Sequence, residues 1–135
     1  MKASAAALLF ICLSGCSTSR DHHPQHATNV PRTAVELWTG GDDGLTQRLA
    51  VAVREEFRTS DRFSLAEVGG TPEALKVIIP THVAWRDVGN RTRVTYRLEL
   101  ERQGRRWVVK AGNCWETDLA HCAQQLVRTV AAARN

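Results

Sequence analysis

None of the short signatures that announce a catalytic centre occurs in this chain: there is no His-Glu-x-x-His, no Gly-x-Ser-x-Gly elbow, no phosphate loop and no Rossmann fingerprint. Beyond residue 33, histidine occurs only as His82 and His121 and serine only as Ser60 and Ser64, none in an activating context. The sequence gives no grounds for a hydrolytic triad, and no catalytic residue and no cofactor is assigned. Long apolar runs are lacking too. The stretch Ala5 to Leu13 falls well short of the roughly 20 residues that cross a bilayer as a helix. Nor is there a large excess of one charge: Lys+Arg 18 against Asp+Glu 14 gives +4, enough to favour an acidic partner but far from the clustered basic stripe of a nucleic-acid binder. With 43% hydrophobic and 24% charged residues over 135 positions, the composition excludes wholesale disorder and a multidomain enzyme. It leaves one domain with a packed core.

What is present begins with an address. Met1-Lys2 is a positive start, Ala5 to Leu13 has the length of a signal-peptide core, and small residues follow. Leu13-Ser14-Gly15-Cys16 resembles the lipobox of bacterial lipoproteins. The resemblance implies removal of residues 1–15, diacylglycerol on the Cys16 sulfur and acylation of its new amino terminus. Several acyl chains hold a protein durably at a membrane without a span. In the sorting rule of such lipoproteins an Asp after the Cys retains the protein at the inner membrane; Ser17 stands here, which implies the periplasmic side of the outer membrane.

Residues 16–33 then read as the lipidated Cys and a flexible tether, polar and proline-containing, with a reach of roughly 20–25 Å. Its His22, His23 and His26 could chelate a divalent metal, but without a fourth partner they read better as a solvated linker, and no metal site is assigned.

Residues 34–135 are expected to form a single α+β domain. Ala34 to Thr39 alternates as a strand; Asp42 or Asp43 caps an amphipathic helix over Gly44 to Thr59; Phe63 to Val68 is a short strand; Thr71 to Ala74 is a helical turn. Lys76 to Arg86, Thr92 to Arg102 and Arg105 to Asn113 form an antiparallel meander, with Val77, Ile79, Val83, Trp85, Val94, Tyr96, Leu98, Leu100, Trp107, Val109 and Ala111 inward. A last helix runs from Asp118 to Ala133. The predicted order is β-α-β-β-β-β-α, a mixed, mostly antiparallel sheet with two helices packed on one face. Pro80 cannot donate to a ladder, so the strand holding it is expected at an edge or bulged.

With Cys12 in the signal peptide and Cys16 lipidated, Cys114 and Cys122 remain to pair in an oxidising compartment. Closing so short a loop restricts the unfolded chain by about 2.5 kcal/mol. Their spacing is wrong for a redox pair, which uses Cys-x-x-Cys. Gly40 to Gly44 reads as a glycine turn with a helix cap rather than a phosphate or calcium loop. Glu99 and Glu101, on one strand face, read as partners for Arg97, Arg106 or Lys110 rather than a catalytic pair. The binding surface is placed on the polar sheet face, at Arg93, Arg97, Arg106 and Lys110, with Trp115 as the tryptophan outside the core and with the strand edge around Ile78, Pro80 and His82.

Arg62-Phe63 with Ser64-Leu65 after the first helix, Lys76-Val77-Ile78, Arg97-Leu98-Glu99-Leu100 with Gln103-Gly104, and the closing amphipathic helix resemble the small α/β modules of envelope lipoproteins. These include the TolB N-terminal domain, the curli secretion lipoprotein and the outer-membrane activators of penicillin-binding proteins. The chain departs from them in its Cys114 and Cys122 pair and in lacking an insertion long enough for a barrel strand, which argues against a curli-type pore. In such modules surfaces carry the function, so no active residue transfers. The resemblance implies a non-enzymatic, lipid-anchored adaptor or accessory subunit of a cell-envelope assembly. The alternative is a small inhibitor or immunity protein that binds a periplasmic enzyme or toxin.

Overall fold

A computed structural model describes residues 31–134. The expected signal peptide, Cys16 and the His22, His23 and His26 cluster lie outside the described residues. The elements are β1 (Thr33–Thr39), α1 (Gly44–Thr59), β2 (Phe63–Leu65), β3 (Leu75–Ile79), β4 (Ala84–Val88), β5 (Arg91–Arg102), β6 (Arg105–Trp115), a single 3-10 turn Glu116–Asp118 and α2 (Leu119–Ala133). This is the expected α+β class.

The Asp43 carboxylate accepts from the backbone N–H groups of Leu45 and Thr46, at 3.1 and 2.9 Å, and so starts α1. Asp118 does the same for His121 at the start of α2. The apolar stripes Leu49, Ala50, Val53, Phe57 and Cys122, Ala123, Leu126, Val127, Val130 are buried. Both helices lie on one face of the sheet, against Val35, Leu37, Val77, Ile79, Val94, Leu98 and Leu100. Among the described residues the other face carries no helix. Cys114 and Cys122 are disulfide-bonded, Cα to Cα 5.6 Å, tying the end of β6 to the first turn of α2.

β1 sits between β2 and β3 and is parallel to both; β3 is antiparallel to β5, and β5 to β6. The long strand expected over Lys76 to Arg86 is two strands. Pro80, with no N–H to give, ends β3, and the chain resumes as β4 against the N-terminal half of β5. β3 is consequently interior, and the edge expected around Ile78, Pro80 and His82 does not exist. Residues 71–74 form a turn closed by Ala74 N–H to Thr71 C=O at 3.0 Å, not a helical turn.

A second irregularity matters more. The β5/β6 register shifts between Leu98 and Glu99: Lys110 faces Leu98, Val108 faces Glu99, and Val109 is the extra residue of a bulge. Trp107 and Val109 pack on the core as expected, whereas Ala111 is exposed and Gly112 and Cys114 take the inward phase. Among the described residues no helix is long and apolar enough to cross a membrane.

Candidate functional site

The uncovered sheet face can be read row by row across the strands. Glu36, Lys76, Glu101 and Arg106 form one row, and Trp38, Ile78, Glu99 and Val108 the next. Further along lie Arg97 with Ala111, then Ala84, Thr95 and Asn113, then Arg86, Arg93 and Trp115. Arg91 faces Val88 beyond them.

The carboxylates of this face are already engaged. Glu99 is nearly buried and accepts from Arg97 Nε at 3.1 Å and Arg106 Nε at 2.6 Å. Lys76 Nζ donates to Glu101 Oε1 at 2.8 Å, and this bond holds the ammonium above its ordinary pKa. Glu36 is 1% exposed although it sits on the polar face, because the loop of residues 66–74 folds over it. Its carboxyl accepts from the Gly69 backbone, from Trp38 Nε1 at 3.0 Å and from Thr71 N–H at 3.3 Å. These bonds, the first above all, and Lys76 outweigh desolvation and keep it below its usual 4.5.

The cations at the other end have no such partners. The Arg91 and Arg93 guanidinium carbons lie 4.0 and 5.2 Å from the centroid of the Trp115 ring, stacked on a half-buried indole. Arg86, opposite Arg93, adds a third guanidinium. None of the three forms an ion pair among the described residues.

Of the residues expected to form a surface, Arg93, Arg97, Arg106 and Trp115 share this face. Lys110 does not, because the bulge turns it toward α2. The sequence reading missed Arg86 and Arg91; the β4/β5 hairpin sets Arg91 on the Trp115 ring and Arg86 opposite Arg93. It also placed Trp38 and Trp85 in the core by phase. Both are exposed: Trp38 takes the face without helices, with Lys76 Nζ 5.6 Å from its ring, and Trp85 lies on the helix side but at the mouth of a shallow cleft with Leu45, Thr92 and Glu116, beyond the reach of the helices.

At the N-terminal end of α1 the glycine turn docks on the segment after β3. His82 Nε2 stands 2.9 Å from Asp42 Oδ1 and 3.8 Å from Asp43 Oδ2, while Thr46 Oγ1 donates to Asp43 and accepts from Val83 N–H. The Asp42 hydrogen bond lifts the imidazole above its ordinary 6.5 and lowers Asp42 below 3.8. A raised histidine contributes stability that is complete below its unfolded pKa and lost as pH rises through the folded value. A lowered carboxyl contributes above its unfolded pKa and loses that as pH falls through the folded value. A double-mutant cycle of His82→Gln and Asp42→Asn, read by urea midpoints, is expected to show coupling at about pH 5.5 and none at about pH 9. Equal coupling at both would contradict the ion pair.

Comparison with known proteins found no family model that matches this chain and no match among curated proteins. A solved structure, that of the hypothetical protein CT253 from Chlamydia trachomatis, is similar at 9% identity and a TM-score of 0.39, over 76% of this chain and 95% of that one. A likeness at that score says nothing of what this chain does.

Proposed function

We propose that this chain is a non-enzymatic accessory subunit, anchored by lipid at Cys16 on the periplasmic side of the outer membrane, that docks an acidic surface of another envelope protein on its uncovered sheet face. The observation that carries the reading is the pair Arg91 and Arg93 stacked on the Trp115 indole, with Arg86 opposite Arg93, all three cations without carboxylate partners among the described residues. Arginine and tryptophan are the side chains that most often dominate interface energy, since each offers a large flat surface and directed donors. Glu99 and Glu101 are spent on Arg97, Arg106 and Lys76, so the charge left unanswered on the face is positive. The lipobox-like start and the resemblance to envelope modules point the same way.

The test is a crosslinked pull-down of the lipidated protein from membranes, with Cys16→Ala as the mislocalised control and Arg91→Glu/Arg93→Glu as the docking variant. Recovery of one envelope assembly is expected, absent from the Cys16→Ala control. The charge reversal is expected to lower recovery about tenfold or more with the circular dichroism unchanged. A single soluble enzyme or toxin captured equally by lipidated and Cys16→Ala proteins would replace this reading with the inhibitor or immunity protein.

A further inference from the structure

The helix-covered side of the sheet holds a second feature that the docking reading does not use. Between β6 and α2 runs a groove of about 360 Å3, lined by Tyr96, Lys110, Gly112, Gln125, Arg128 and Thr129. That volume lies in the range of small-molecule sites.

Its charged groups, Lys110 and Arg128, are donors only, and among the described residues no carboxylate lines it. Lys110 and Arg128 form no ion pair among the described residues. Tyr96 is 6% exposed, yet its hydroxyl takes part in no hydrogen bond among the described residues, and burial alone pushes its pKa up. The ring and hydroxyl lie directly over Gly112, where any Cβ would overlap them, so glycine is what allows the phenol to reach the groove. Gln125 and Thr129 are held in place: Gln125 Nε2 lies 2.7 Å from His121 Nε2, and Thr129 Oγ1 donates to the Gln125 carbonyl at 2.9 Å. Lys110 is present only because the extra residue Val109 reverses the alternation of β6; with regular pairing it would join Arg97 on the other face. Re-aiming one side chain beside a site is what a bulge does.

We infer that this groove binds a phosphate group carried on a small apolar body. Lys110 and Arg128 supply the two charges a phosphate monoester needs, Tyr96 supplies a neutral donor, and the ring of Tyr96 gives the body an apolar floor. A soluble phosphate ester and a phospholipid head group present the same chemistry.

The probe is 1-naphthyl phosphate, titrated into the full chain labelled with 15N. Saturable shifts are expected at the amides of Gly112, Gln125, Arg128 and Thr129, and 1-naphthol, which lacks the phosphate, should give none. Lys110→Gln/Arg128→Gln is expected to weaken binding about tenfold or more, and Tyr96→Phe, which keeps the ring, about threefold. Equal affinity in the double variant, equal binding of 1-naphthol, or shifts confined to Arg91, Arg93 and Trp115 on the opposite face would each overturn the inference. Vesicles of phosphatidylcholine with and without phosphatidylglycerol, used as competitors, assign the source. Displacement only by the anionic vesicles supports the head group, and no displacement by either supports a soluble ester.

Discussion

Phe57→Ala is expected to lower the unfolding free energy by about 3–5 kcal/mol, seen as a fall in the urea midpoint with an unchanged slope. Phe57 is 0% exposed and lies near the end of α1, its ring edge-on to Phe63 at 5.3 Å and 87°. Phe63 belongs to β2, which has three residues and, among the described residues, is paired only to β1. So short a strand is held less by its ladder than by what lies on it, and Phe57 is the largest such group. Arg134 covers the Phe63 ring at 5.2 Å but cannot fill the space that alanine would leave. α1 is pinned at one end by the Asp43 cap and at the other by Ser60 N–H to Phe57 C=O, which limits collapse into the hole. The control is Val51→Ala on the same helix at 62% exposure, expected to change stability by less than about 0.5 kcal/mol. A loss below about 1 kcal/mol for Phe57→Ala would mean that β2 does not depend on this contact.

Glu36→Ala has the second-largest expected effect, about 2–4 kcal/mol at neutral pH. One carboxylate here answers the Gly69 and Thr71 backbone and the Trp38 indole, so its removal leaves several donors of a covered loop without an acceptor. Because the folded-state pKa is lowered from 4.5, the contribution is present above that value and is lost as pH falls through the folded value. Wild type and variant should therefore differ clearly in urea midpoint at about pH 7 and converge toward about pH 2. Trp38 reports the same event by fluorescence, since its N–H loses its partner in the variant. A pH-independent difference would assign the effect to packing alone.

These two residues mark what a sequence can and cannot convey. Phe57 was legible as core because it lies on a period-3.6 stripe with Leu49 and Val53, and the same signal with the Asp43 cap located α1 residue for residue. Glu36 carries no such signal. It alternates to the polar side of β1 like any solvated acid, and only the return of a loop thirty-odd positions later, with Thr71 N–H on its Oε1, removes it from water. Pro80 was legible as an interruption, but not which one: a proline that ends an interior strand and a proline on an edge look alike until the partners of β3 are known. The surface residues Arg93, Arg97 and Arg106 followed from alternation along two strands, and Trp115 from its place beside the disulfide. Lys110 did not, since one inserted residue exchanges the faces expected for Lys110 and Ala111. The alternation of β1 turns Val35 and Leu37 to the helices and Trp38 away from them, but the exposure of Trp85 was hidden for a related reason. Period tells which face a side chain takes, not how far a helix extends over that face.

The meeting of the two ends of the domain has a consequence in time. Arg134 Nη1 donates to Thr33 Oγ1 at 2.8 Å, across 101 positions of sequence. β1 emerges first yet occupies the interior of the sheet, and its neighbours are opposite Phe63 and Leu75, well downstream. The cover over its apolar side is completed by α2, the final element. The core of a domain so arranged is complete only when its last element has been made, and the contacts that close it are the ones longest in sequence.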